Sequence, residues 1–484
     1  MFMESFLLVL LYVVGFGKGA SDHTLVMVSH RGGSLDIRHV PSMMVQAAAA
    51  AGERTRFLSQ DDLELEQCLA QTGMVHDLSS LGVQIVDSKC ALSHKQIMDY
   101  FEKAEDSLDI EVFCEADFDF SIAPVFEEAS VMQSRVSTCT GGNRVLGTND
   151  PGSSCQGNLE VMRMGAAWQT ARAANRTLRR IVLAILDTGV DMTHPDLVNQ
   201  FWKNPSDGSI GHNFITDSAD VTDDNGHGTH CAGAAGAQTN NGIGIAGVAD
   251  VELMILKFMD STGEGSLRNA LKALDYAVRM GATVSSHSYF SPHSSRIFQR
   301  AIRNAADLGH IVVAAAGNDD LNLDQFPAYP CSYAPSIPSL LCVAASTSTT
   351  ASPVSIASFS NIGSAVNIVA PGVNILSTYL LGSYAYLSGT SMATPQVAGV
   401  AALLAALGLG GQRITDSITR SRTATLSNRL NLNNLGELDA LNAVNIGLGQ
   451  PTSPPTPPSS ARFSTLISAW SLGLLFVITE RFAF

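Results

Sequence analysis

The chain of 484 residues carries 44 Asp and Glu against 29 Lys and Arg, a net charge of −15. The excess is local: residues 52–130 hold 18 acidic and 5 basic side chains, residues 129–484 hold 23 and 21, and residues 1–51 balance at 3 and 3. No basic face stands to gain from phosphate counterion release, which excludes nucleic acid as a partner, and 45% hydrophobic with 15% charged residues excludes a wholly disordered chain.

Phe6 to Phe16 (FLLVLLYVVGF) is an apolar run too short to span a bilayer and suited to a signal-peptide core, with Gly17 and Gly19 small enough to flank a cleavage site. Residues 1–19 are read as that leader, against the alternative of a buried N-terminal strand. Secretion permits disulfides and makes Asn175-Arg176-Thr177 a glycan acceptor. Inside the acidic stretch, Val83–Val86 reads as a strand, Ser93 to Phe101 as a helix opened by a Ser cap, and Ile110 to Phe113 as a second strand. Among eight cysteines, Cys139 with Cys155 and Cys331 with Cys342 are spaced to close short loops, although spacing leaves the connectivity open.

Ile181 to Leu186 is a continuous apolar run, the pattern of a buried parallel strand, and it stops at Asp187-Thr188-Gly189. Catalytic groups of open α/β sheets gather at such an edge, and turns use the same residues. In Asn225-Gly226-His227-Gly228-Thr229-His230-Cys231, the flanking glycines give His227 the access a proton shuttle needs. Its alternative is a capping or packing role; the His227/His230 spacing lacks the third ligand of a zinc site. Ile311 to Ala316 is another buried strand, ending in Gly317-Asn318, where Asn318 either turns the chain or aims an amide N–H at a carbonyl oxygen. Ser388-Gly389-Thr390-Ser391 opens an apolar helix through Leu407. Taken alone, Ser391 reads as its N-cap, although a helix N-terminus also favours developing negative charge. The Ser/Thr/Pro stretch from Pro451 to Pro458 is an extended linker. Beyond it, Ser459-Ser460-Ala461 and the apolar Leu466–Ile478 form either a lipid-anchor signal or a plain disordered tail.

Asp187, His227 and Ser391, in that order and with Asn318 between the last two, resemble the subtilisin-like serine proteases across about residues 149–445. The resemblance implies an α/β fold with a mainly parallel sheet flanked by helices. Ser391 is then the nucleophile, His227 its base, Asp187 the residue that orients the imidazole, and Asn318 an oxyanion donor. It also implies an extended peptide substrate lying between Glu264-Gly265 and Ser288-Tyr289-Phe290, near Gly317. Phe290 stands where many relatives have glycine, and Ser286-His287 replaces the usual Asn, so a smaller or otherwise restricted side chain before the cleaved bond is expected. Structural calcium is implied through the side chains of Asp196 and Asn241 and the carbonyls of Thr239, Ile243 and Ile245.

The strand, helix and strand within about 74–120 resemble the small α+β propeptide domain of such zymogens, which inhibits its own enzyme. The organisation expected is a leader at 1–19, propeptide at 20–135, catalytic domain at 136–447, and linker with tail at 448–484. The protein would enter the secretory pathway and act outside the cell or in a vesicle on protein or peptide substrates, with membrane attachment through the C-terminus open. A catalytically silent relative that binds peptides or partners is the alternative. Cys231 reads as a buried free thiol. Most of the negative charge falls on the part that would be discarded, where it could aid solubility or acid-dependent release.

Overall fold

Strands buried on both faces need continuous apolar sequence, and the runs that have it form the central sheet. The computed structural model describes residues 24–30, 33–34, 38, 40, 43–44, 46, 60–71, 75–86, 93–107, 110–122, 126–127, 139–174, 176–347, 355–423, 426, 430, 432 and 435–452. The leader, Asn175 and the apolar tail therefore lie outside the described residues. Among those described, no helix is long and apolar enough to cross a membrane.

The N-terminal unit is an antiparallel sheet. Strand β1 (Thr24–His30) starts it, followed by helix α1 (Gln60–Leu69) and the hairpin of β2 (Val75–Leu78) and β3 (Val83–Val86). Helix α2 (His94–Ser107) and strand β4 (Ile110–Ala116) complete it, and β1 pairs antiparallel with both β3 and β4. Ser93 opens α2 as expected: its backbone N–H donates to Gln96 Oε1 at 2.8 Å while Gln96 N–H donates to Ser93 Oγ at 3.3 Å, a reciprocal cap. The helix runs to Ser107, beyond Phe101. The unit also extends past 74–120, because its central strand is β1, drawn from just behind the proposed leader.

Two short strands follow, β5 (Asp119–Ser121) and β6 (Phe126–Glu127), and both pair with the larger domain. That domain contains, in chain order, β7 (Ile181–Asp187), β8 (Gly211–Asn213), α3 (His227–Gly236), β9 (Val251–Lys257), β10 (Glu264–Ser266), α4 (Leu267–Arg279) and β11 (Val284–His287). It continues with α5 (Arg296–Asp307), β12 (Ile311–Ala315), β13 (Leu340–Ser346), β14 (Ile368–Pro371), β15 (Ile375–Tyr379), β16 (Ser383–Ser388) and α6 (Thr390–Ala406). Seven strands form one parallel sheet in the order β14-β13-β12-β11-β7-β9-β8. Chain order reverses beside β7, so the crevice outside its carboxyl end, where Asp187 stands, is the place such sheets bind ligands.

Alternation along β7 sends Leu183 and Ile185 into the layer of α3 and α6, and Ala184 and Leu186 into the layer of α4 and α5. Helix α6 is buried from Thr390 to Ala405, which explains why its sequence is apolar all round. The disulfides Cys139–Cys155 and Cys331–Cys342 are both formed.

The acidic unit docks on the N-termini of two helices. Glu115 accepts from the Arg296 N–H at 2.7 Å and from Ser295 Oγ at 2.5 Å, at the start of α5. Asp117 accepts from the Arg268 N–H at 2.9 Å, at the start of α4. Helix starts leave N–H groups unpaired and carry partial positive charge, so these carboxylates satisfy both at once. Part of the local negative charge therefore belongs to the interface. Leu78, Leu81, Val83 and Ile85 complete the contact by burying apolar surface against the layer of α4 and α5.

Candidate active site

The end of β7 and the start of α3 bring Asp187 and His227 together. His227 Nδ1 lies 2.7 Å from Asp187 Oδ1, with both side chains 2% exposed. Asp187 Oδ1 also accepts the Thr188 N–H at 2.8 Å, which fixes the carboxylate plane. Burial disfavours the charged imidazole, but the Asp187 charge and hydrogen bond outweigh it and hold His227 well above its ordinary value. Its other nitrogen, Nε2, is buried without a hydrogen-bond partner.

Neither His227 nor Ser391 is a cap. Gly226 occupies the N-cap position of α3, and Asp223 accepts the N–H groups of Gly226 (2.9 Å) and Thr229 (2.9 Å) there. Gly389 occupies the N-cap position of α6, which corrects the reading of Ser391 taken alone. Ser391 lies within the first turn and donates its hydroxyl to the Ser288 carbonyl at 3.2 Å. Ser288 Oγ in turn donates to the Ser391 carbonyl at 3.0 Å, binding the serine to the end of β11. Cys231 joins the two halves of the site: its Sγ is 3.9 Å from His227 Nδ1 and 3.5 Å from the Ser391 carbonyl. Burial pushes this thiol up, so it packs as a protonated group. His230 is occupied elsewhere, with Nε2 3.0 Å from the Ile375 carbonyl and 3.1 Å from the Ala385 carbonyl, holding β15 and β16.

Asn318 is oriented by its acceptor. Its Oδ1 takes the Thr390 N–H and the Thr390 hydroxyl, both at 2.9 Å, so the amide NH₂ must face the other way. A Cβ on Gly389 would stand 3.0 Å from that nitrogen, which keeps position 389 small. Gly317 has φ +98°, and a Cβ there would meet the Asn361 side-chain nitrogen at 2.4 Å, so only glycine fits. Asn361 is a supporting residue that sequence reading missed. It accepts from the Asp319 and Leu321 N–H groups at 3.1 and 2.8 Å and donates to the Ala316 carbonyl at 3.0 Å, shaping the turn that presents Asn318.

The expected substrate positions surround a strand of the chain itself. Asp119–Ser121 pairs antiparallel with Glu264–Ser266. Ser121 exchanges both backbone hydrogen bonds with Phe290, each 3.0 Å, and the Ile122 N–H reaches the Gly263 carbonyl at 3.0 Å. A Cβ on Gly263 would lie 2.5 Å from Ile122 Cδ1, so that glycine allows the strand its close approach, while one on Gly265 would lie 2.5 Å from the Phe258 carbonyl. Phe290 is half-buried and packs into the apolar cluster that holds Phe120.

Of the residues expected at calcium, Asp196 and Asn241 meet, with Asn241 Nδ2 2.7 Å from Asp196 Oδ1. Ile245 reaches the other carboxylate oxygen through its N–H at 2.8 Å, and Thr239 and Ile243 belong to the same loop. Sequence reading missed Asp150, whose carboxylate accepts the N–H groups of Asn240, Asn241 and Gly242 at 2.8, 3.0 and 3.2 Å. Both carboxylates are fully buried, and burial, with Asp150 nearby, pushes Asp196 up to about 6. Among the described residues both buried acids take their hydrogen bonds from neutral groups, so their charge is left for a hard divalent cation to balance, while Ile245 presents its N–H rather than the expected carbonyl.

A parallel sheet with an Asp–His pair and a serine at a helix start across its switch point defines a hydrolase of the acyl-transfer type. The subtilase family matches residues 179–428. A thermophilic serine proteinase of Bacillus sp. (strain AK1) is 40% identical over 240 residues, covering 49% of this chain and 55% of that protein. Thermitase of Thermoactinomyces vulgaris is 38% identical over 272 residues, covering 56% of this chain and 89% of that protein. Subtilisin Savinase of Lederbergia lenta is 39% identical over 239 residues, covering 49% and 81%. The chain belongs to the subtilase family, a family of serine endopeptidases.

Proposed function

We propose that this protein is a secreted serine endopeptidase made as a zymogen, and that it cuts its own chain. Ser391 attacks the peptide carbonyl, His227 Nε2 takes the hydroxyl proton and returns it to the leaving amine, and Asp187 holds the imidazole through Nδ1. The Asn318 amide and the helix start at Ser391 carry the negative charge that develops on oxygen. For this the hydroxyl exchanges its hydrogen bond to the Ser288 carbonyl for one to Nε2, which is buried without a partner.

The observation that carries this reading is the pairing of residues 119–121 and 126–127. On one side Ser121 pairs with Phe290; on the other, Phe126 pairs with Ser388, three positions before Ser391. The described residues on both sides of 123–125 are thus paired to strands that lead to the nucleophile, as an added strand would be. Cleavage is expected C-terminal to Ile122 and no later than the bond before Phe126. Intact mass and N-terminal sequencing of the purified mature enzyme check this, together with labelling by a fluorophosphonate serine probe. A mature start outside residues 123–126, or processed protein that does not label, overturns the reading.

Calcium would be held by Asp196 and Asp150 with the 239–245 loop, tying the start of the catalytic domain to its body. Excess chelator is expected to lower the melting temperature by on the order of 10 °C, with recovery on adding calcium. Unchanged melting rules the site out.

A further inference from the structure

A cavity of about 410 Å³ opens at the end of the sheet opposite the nucleophile. Arg180 stands just before β7 and Asp250 just before β9, so both line it from the amino ends of the strands. Strand β7 is seven residues long, which at about 3.3 Å per residue puts Asp187 roughly 20 Å away. Trp168 and Arg172, four positions apart on one face of the helix Met164–Ala173, form a second wall. Gln238 and Asn240, at the start of the proposed calcium loop, belong to a third.

The walls use up their acceptors and leave donors over. Gln200 Oε1 takes the Arg180 guanidinium at 2.8 Å, and the Val251 carbonyl takes it at 2.6 Å. Gln238 Oε1 takes the Asn199 amide at 2.9 Å, and Asn240 Oδ1 takes the Asn149 N–H at 3.0 Å. Among the described residues, the NH₂ groups of Gln238 and Asn240 and the exposed guanidinium of Arg172 then have no acceptor. Trp168 sends its indole N–H to the Val248 carbonyl at 2.8 Å, so its ring is what remains for the cavity. Asp250 is the one acid among the lining residues, against two arginines; it pairs with Arg180 Nε at 3.2 Å and is 76% exposed.

Spare N–H groups and a surplus of positive charge repel a metal cation and call for a ligand rich in acceptors. Guanidinium forks match carboxylate oxygens in pairs. The donors stand on separate walls of a space that suits a small organic molecule, so the acceptors must be spread over one compact frame. A surplus of one charge is too little to hold a nucleic acid.

We propose that this cavity binds a small polycarboxylate between Arg172 and Arg180, with the amides of Gln238 and Asn240, and that the bound molecule ties the calcium loop to the catalytic body. The test titrates tricarballylate into the full chain carrying Ser391→Ala, which cannot digest itself, by calorimetry at fixed ionic strength and saturating calcium. One molecule per chain is expected, with a Kd on the order of 0.1 mM and a Tm that rises as the site fills. Arg172→Gln is expected to weaken binding by about tenfold or more. Its Tm without ligand stays unchanged, because the side chain it replaces is exposed and without a partner. Arg172→Lys, which keeps the charge without the fork, falls between the two, and Asp250→Asn, which removes the opposing acid, tightens binding. Sulfate, with a single centre of charge, binds more weakly than tricarballylate. The inference is overturned if no saturable heat appears, or if sodium chloride of equal ionic strength raises the Tm as much. Binding to Arg172→Gln as tight as to the chain with Arg172 overturns it too. None of these readouts depends on peptide cleavage.

Discussion

Ser391→Ala is expected to leave the 122–126 stretch uncut and to abolish fluorophosphonate labelling, with kcat reduced by on the order of 10⁴–10⁶. The hydroxyl is the atom that forms the bond, and the remaining groups can only stabilise attack by water. Folding should survive, because the hydroxyl makes one hydrogen bond, to the Ser288 carbonyl, and does not cap α6. The measurement is intact mass of purified protein over time, beside turnover of the peptide with the sequence of residues 117–128. Processing by a contaminating protease is separated by mixing: active wild type should shorten the variant, and the variant alone should not change. A purified variant that still shortens at the same bond would assign the cleavage elsewhere.

Asn318 offers the second large effect, and two substitutions are needed to read it. Asn318→Ala should reduce kcat by about 10²–10³ with KM little changed, the signature of a donor used only as the oxyanion develops. It also removes the acceptor for the Thr390 N–H and hydroxyl, and a buried unpaired donor costs about 1–3 kcal/mol of stability. Asn318→Asp keeps that acceptor while replacing the NH₂ donor with oxygen. It should therefore melt closer to wild type than Asn318→Ala and yet lose at least as much kcat. If Asn318→Asp retains wild-type kcat, the residue serves only to hold the start of α6.

Much of this site was legible because its parts are short and local. A buried strand announces itself by an unbroken apolar run, and Asp187, Asn318 and Ser391 each sit at the end of one or at the start of an apolar helix. Glycines beside them mark places where backbone must pass closely, as Gly317 shows. Ser391 alone was misread as a cap, since capping and catalysis ask for the same residue at nearly the same place. The box around it, not the serine, carried the information.

Other residues could not be read this way. Asp150 lies some ninety residues from its partners, and only the folded loop brings its carboxylate onto Asn240, Asn241 and Gly242. Strand β1 was passed over because its partners β3 and β4 lie more than fifty positions away. Ser285, His287 and His310 look like scattered polar residues until β11 and β12 pair and align them.

The amino-acid sequence by itself determined the class of chemistry, the α/β core and the concentration of charge ahead of it, since these depend on side-chain type and short-range period. The tertiary structure alone decided what the charge does and what the cleft holds. Glu115 and Asp117 serve helices that begin some 150–180 residues later, and Ser121 finds Phe290 across a similar distance. No local pattern encodes such pairings; they follow from which surfaces are left to bury once the sheet has formed.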